Sequence, residues 1–197
     1  MKAGILTAFV CASLLIACSN EKDDSIETRI SGYYKIVSMT SATAVDMNRD
    51  GIKTHNLYDE ISGLHHTPDN QEGRFYDFEA IPSYMEVRPL SYQTNDAKLV
   101  SLNIPDQLIV ETETGDFFLQ MYLRTMFYYS YRLNDRSSSI ELKSNNSPEF
   151  PENGLPTDFR IQPDGTLKLE LSKKVFDFVD LEWSWVDVTV VYVEVEM

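Results

Sequence analysis

From Phe75 onward apolar and polar residues alternate with a period of two, the pattern of strands that bury one face. The alternation predicts strands over residues 74–79, 84–90, 98–104 and 108–113. Pro82, Pro89 and Pro105 fall at or near their ends, where a residue without an N–H costs no ladder bond. The clearest run begins at Asp116: Phe117, Leu119, Met121, Leu123, Thr125, Phe127, Tyr129, Tyr131 and Leu133 share one face, and Gln120, Arg124, Ser130 and Arg132 the other. At ~3.4 Å per residue a strand of this length would exceed about 50 Å, so a sharp bend or a turn near residues 124–126 is expected to divide it.

Two turn signals organise the second half. Thr114-Gly115-Asp116 predicts a hairpin that pairs residues 108–113 with the strand starting at Phe117. Pro163-Asp164-Gly165 predicts another, with Phe159 and Ile161 turned inward before it and Leu167, Leu169 and Leu171 after it. Residues 144–157, with Pro148, Pro151 and Pro156, read as a loop. The last strand, residues 183–194, carries Val186, Val188 and Val190 on one parity and Val191, Val193 and Val195 on the other, which predicts a β-bulge near Val190. So long an apolar strand needs a partner, because an exposed edge of that kind invites aggregation.

The first half is less regular. Residues 32–39, with Ile30 at their start, have the aromatic and β-branched content of a first strand. Residues 45–70 break the alternation, and there Leu57, Ile61 and Leu64 fall on one face of a short helix that Asn56 is placed to cap, with Asp59 three residues on. No other helix is expected. Hairpin-linked strands without a βαβ rhythm give an all-β fold: a meandering antiparallel β-barrel with one short helix in an early loop, or alternatively a two-sheet β-sandwich.

The start Gly32-Tyr33-Tyr34, followed by an acidic Asn/Gly loop, resembles the lipocalin-like lipoprotein domains of the Bacteroidota over residues 30–196. Tyr34 stands where the classical lipocalins have tryptophan, and their later signature residues are not found here. The resemblance implies a barrel able to hold an apolar cavity; because those relatives are mostly of unassigned function, it names no ligand.

The N-terminus has a pattern of its own. Lys2 is followed by an uncharged run, residues 3–17, the n-region and h-region of a secretory signal peptide. A membrane-spanning helix needs roughly 20 apolar residues, and this run stops sooner, at Ser19-Asn20-Glu21-Lys22-Asp23-Asp24. Leu15-Ile16-Ala17-Cys18 resembles the lipobox of bacterial lipoproteins, in which a small residue enters the peptidase site and the adjacent thiol accepts a diacylglycerol. The resemblance implies a signal peptide over residues 1–17, a lipidated tether over 18–29 and a single domain over 30–197. At ~0.8 kcal/mol per buried CH₂, two or three palmitate-like chains on Cys18 make a firm anchor. Ser19, in place of the aspartate that retains lipoproteins in the inner membrane, and Lys22-Asp23-Asp24, similar to a Bacteroidota surface-export signal, imply the outer membrane and the cell surface. The alternative is that residues 19–25 are a solvated acidic linker.

Loss of the signal takes the formal charge from -14 to -15, the wrong sign for a phosphate-facing surface, so nucleic acid is excluded as a partner. The chain has two cysteines. Cys11 leaves with the signal and Cys18 carries the lipid, which removes disulfides and thiol chemistry from the mature domain.

Few residues suggest further chemistry. Asp46-Met47-Asn48-Arg49-Asp50-Gly51 matches the first half of a calcium loop, with oxygen donors at alternate positions and a glycine for the turn. Leu57 occupies the place of the closing bidentate glutamate and Thr54 the ninth position, so Asp59 or Glu60 would have to bend back to complete the shell. The competing reading is a solvated turn. His55, His65 and His66, beside Asp69, lack the His-x-x-x-His spacing of a zinc site. Asp77, Glu79, Asp177, Asp180 and Glu182 supply carboxylates without the set separation of a catalytic pair. Tyr122, Tyr128, Tyr129, Tyr131, Trp183 and Trp185 suit either a glycan-binding platform or a barrel core and belt. The expectation is a noncatalytic, membrane-anchored binding module for a small apolar ligand or a glycan. An assembly partner of an outer-membrane protein stands second, and a carboxylate-based hydrolase third.

Overall fold

The computed structural model describes residues 30–67, 69, 71–80, 82–88, 98–134, 138–143 and 155–196. Cys18, the tether and the loop 144–154 lie outside them. In chain order the elements are β1 (Gly32–Val45), β2 (Thr54–Asn56), helix α1 (Leu57–Ser62), β3 (His65–His66), β4 (Glu72–Gly73), β5 (Tyr84–Arg88), β6 (Leu99–Glu111), β7 (Phe117–Asn134), β8 (Ser139–Lys143), β9 (Leu155–Ile161), β10 (Leu167–Asp177) and β11 (Glu182–Val195). Eight strands, β1 and β5 through β11, form an antiparallel meander that closes on itself because β11 returns to pair with β1 from Tyr33↔Val195 to Ser41↔Val188. The fold is therefore the closed barrel and not the sandwich, and the long apolar last strand has its partner. Both predicted turns form, Gly115 at φ 85 and Gly165 at φ 86, a left-handed backbone that a side chain would strain.

The alternation does the work of filling the interior. Leu167, Leu169, Leu171 and Val175 of β10 and Val186, Val188, Val190 and Tyr192 of β11 are all buried, as are Tyr34, Ile36 and Met39 of β1 and Val100, Leu102 and Ile104 of β6. Residues directly opposite on paired strands face the same way, so Ile36 meets Tyr192 and Met39 meets Val190. The change of parity on β1 between those two pairs locates a bulge at Val37. This corrects the bulge expected near Val190: β10 and β11 pair without a break, and Tyr192 continues the inward face while Val191 and Val193 stay half-buried outside.

Four other strand assignments differ from expectation. Residues 98–113 were expected as two strands split at Pro105, but β6 runs through it. Beyond Ser101 β6 has lost β5 as a neighbour and pairs with β7 alone, so a proline there interrupts no second ladder. No turn divides β7 near residues 124–126 either. It is continuous, with a bulge at Gln120 opposite Leu108 and Ile109. That extra residue moves Tyr122 onto the face of Leu119, burying it, and leaves Met121 and Leu123 exposed. Residues 74–79 form no strand: Asp77 accepts from the N–H groups of Glu79 (2.8 Å) and Ala80 (3.1 Å) and holds the chain in a turn, with Tyr76 and Phe78 still buried. Pro156, expected in a loop, lies in β9 opposite Leu171.

Because β6 and β7 outrun the wall, their hairpin curls across one end of the barrel. Gln107 pins it to β10, accepting from the Phe176 N–H (2.8 Å) and donating to the Phe176 carbonyl (3.2 Å), and Phe117 packs on the Phe176 ring at 5.1 Å. The excursion 46–80 covers the same region, for Phe178 donates its N–H to the Asp46 carbonyl at 2.8 Å. It also holds α1, which Asn56 caps as expected, accepting from the Asp59 N–H at 3.3 Å. Leu57 and Ile61 are buried, whereas Leu64 falls beyond the helix and is exposed; Glu60 takes a buried position instead.

Candidate functional site

The acidic loop comes together as a hydrogen-bonded nest. Asp46, fully buried, accepts from the N–H groups of Arg49 (2.6 Å) and Gly51 (3.0 Å); Asn48 accepts from Asp50 N–H (3.0 Å), and Asp50 from Ile52 N–H (2.7 Å). Left-handed conformations at Arg49 (φ 63) and Gly51 (φ 82) let the chain turn this tightly. Helix α1 brings Glu60 back over the loop, where its carboxylate accepts from the N–H groups of Met47 (2.7 Å) and Asn48 (3.1 Å). Asp59 points elsewhere, to the Asn56 side chain at 2.5 Å. Of the expected donor set, then, Asp46, Asn48, Asp50 and Glu60 share one place and Asp59 does not. These are hard oxygen donors of the type calcium takes, yet the backbone already occupies most of them. Among the described residues no three Asp, Glu, His or Cys side chains stand in metal-holding geometry.

Burial governs the charge of this nest. It pushes the Glu60 carboxyl up to about 7, against the two N–H bonds that favour its ionised form, and it raises Asp46 for the same reason. Behind the nest the Tyr122 hydroxyl and His65 Nδ1 are buried with no hydrogen-bond partner among the described residues, and their rings meet at 5.4 Å. His65 is almost wholly buried, and burial lowers its pKa. His66 turns the other way, toward Glu72 at 3.7 Å, and Nδ1 of His55 lies 3.0 Å from the Ser41 carbonyl, so the three do not converge.

The inside of the barrel holds an ion pair that the sequence reading missed. Lys173 contacts Asp106 with both side chains buried. In the ring β6 and β10 are opposite strands, so the pair spans the barrel where the hairpin curls over it. Burial pushes the Lys173 ammonium down to about 7. The signal existed: Lys173 shares the odd parity of Leu167, Leu169, Leu171 and Val175, which makes it inward.

The outer wall carries the aromatic candidates. Trp183 and Trp185 are 43% and 49% exposed, on the same face of β11 as Asp187 and Thr189. Trp183 is braced edge-on by Phe176 (5.5 Å), with the Lys174 ammonium 5.5 Å over its ring. The Trp185 indole stacks against no other aromatic ring among the described residues. Of the other aromatics, Tyr122 and Tyr131 are buried and Tyr129 half-buried, as core residues should be, and Tyr128 is exposed. Beyond Trp185 the wall opens into a depression of about 430 Å³ lined by Asp187, Thr189, Glu170, Thr40 and Thr157, the last of which a register shift between Glu170 and Leu171 leaves unpaired. A second depression, about 270 Å³, lies between β8 and β9, which pair at Ser139↔Arg160 among the described residues.

Of the remaining carboxylates, Asp77, Glu79, Asp177 and Asp180 are engaged in structure. Glu79 pairs with Lys35 at 2.9 Å, while Asp177 and Asp180 share Lys53 at 2.9 and 2.5 Å. Glu182 is exposed at the start of β11. Comparison with protein-family models, with curated proteins and with solved structures returned no match.

Proposed function

We propose that the protein is a noncatalytic binding module held by a lipid on Cys18 at the outer face of a cell envelope, and that it takes its ligand on the outer wall of the barrel. One observation carries the choice of wall over interior. Among the described residues the inward positions carry large buried side chains and are bridged by Lys173 and Asp106, whereas Trp183, Trp185 and the depression beside them face solvent. The anchor rests on Leu15-Ile16-Ala17-Cys18. The fold is compatible with this reading: β1, which follows residues 18–29 in the chain, begins beside Val195, and the tryptophans lie at the opposite end of β11.

Metabolic acyl labelling tests the anchor. Wild-type protein takes up label and fractionates with membranes, and Cys18→Ser does neither. Label that survives the substitution overturns the lipidation.

A further inference from the structure

We infer that the outward strip from Trp185 through Asp187 to Thr189 is a binding site for a neutral polysaccharide, an inference that rests on the binding-module reading above. Residues two apart on a strand stand about 6.8 Å from each other on one face. The strip is therefore a ring platform, then a carboxylate, then a hydroxyl, at regular steps. Cross-strand pairing widens it: Lys174 lies opposite Trp185, Ser172 opposite Asp187, Glu170 opposite Thr189, and Thr40 on the other flank of Thr189.

Each part matches a feature of a sugar ring. An indole face accepts the apolar C–H face of a pyranose, and Trp185, about half exposed, has no aromatic partner on its ring among the described residues. Asp187, exposed and without a hydrogen-bond partner among the described residues, can accept from a pair of hydroxyls. The threonines both donate and accept, as alcohols require. Glu170 is held in place by Lys168 at 2.6 Å, which gives the depression a fixed polar edge. Its volume of about 430 Å³ falls within the ~300–1,000 Å³ common for bound small molecules.

The charges exclude the other occupants of an exposed tryptophan face. An anionic polymer or lipid surface meets Asp187 and Glu170 on a chain of net charge -14. A cation that would stack on the indoles meets Lys174, already over Trp183. Insertion into the membrane that bears the anchor is disfavoured because the tryptophans sit at the far end of β11 from the start of β1.

The test uses the full-length chain in detergent micelles, titrated with hexasaccharides of β-1,4-glucan, β-1,3-glucan and α-1,6-mannan and read by calorimetry and tryptophan fluorescence. We expect at least one to bind, Trp185→Ala to weaken it at least about tenfold, Asp187→Ala to weaken it severalfold, and Met126→Ala, exposed elsewhere on the wall, to leave it unchanged. Because Trp185 and Asp187 point outward, their variants should keep the wild-type Tm and circular dichroism. Binding of no saccharide at millimolar concentration overturns the inference, as does Trp185→Ala binding equally well. A fluorescence response to phosphatidylcholine vesicles or to polylysine in place of sugars overturns it too. None of these results touches the labelling of Cys18, so a labelled chain that binds no sugar keeps its anchor and loses this ligand class.

Discussion

Glu60 shows how one buried side chain sets a local response to pH. Its carboxylate joins α1 to the loop through two N–H bonds, but burial lifts its pKa from 4.5 to about 7. The folded protein therefore holds a proton that the unfolded chain has released between those values. Stability falls as pH rises through that window, and the loss is complete above about 7. On the order of 3 kcal/mol is at stake, and Asp46, raised for the same reason, bends the profile the same way. We expect the Tm to drop between about pH 5 and pH 8 in the wild type and to be flatter in Glu60→Gln, which keeps an oxygen for the same N–H groups. If the nest takes calcium, the metal offsets the cost of the buried charges: millimolar calcium at the upper pH raises the wild-type Tm and leaves Glu60→Gln and Asp46→Ala unmoved. A Tm that ignores calcium leaves residues 46–51 as a turn.

At the scale of the element, local signals succeeded wherever one short segment decides its own geometry. The Asn56 cap, the glycine turns at Gly115 and Gly165 and the inward parity of β10 were all legible. The bulges at Val37 and Gln120 were not, because a bulge is fixed by the register of the partner strand, which alternation within one strand does not contain. Pro105 misled for a related reason: whether proline ends a strand depends on a neighbour, and β5 has already stopped. The acidic loop was readable as a cluster, but Glu60 and Asp59 are adjacent in sequence, and only the turn of α1 decides which one reaches it. That helix is six residues long, too short to stand without its cap and its buried face. Asn56→Ala should cost about 1 kcal/mol in urea unfolding and Asn56→Asp much less. Equal losses in both would mean that the bond to the Asp59 N–H contributes nothing.

At the scale of the whole molecule, closure is reinforced across the barrel's width. The ladder from β1 to β11 seals the wall, while Lys173 and Asp106 join opposite strands beneath the curled hairpin, with Gln107 fastening the same hairpin to Phe176. A buried ion pair is costly to desolvate, and its removal differs sharply according to whether one partner or both are lost. Lys173→Met leaves the Asp106 carboxylate, one of whose oxygens already lacks a partner among the described residues, charged and alone in an apolar interior. That variant should lose about 3–5 kcal/mol. Replacing both partners with apolar residues of similar volume, Lys173→Met with Asp106→Leu, removes the charge and fills the space, so stability should return to within about 1 kcal/mol of the wild type or exceed it. Denaturant unfolding of the two single variants and the double variant decides the matter. A large favourable coupling between the substitutions marks the pair as a latch whose halves depend on each other, and simple addition of the two losses would show that each side chain is held by its own surroundings and that the hairpin closes without the pair.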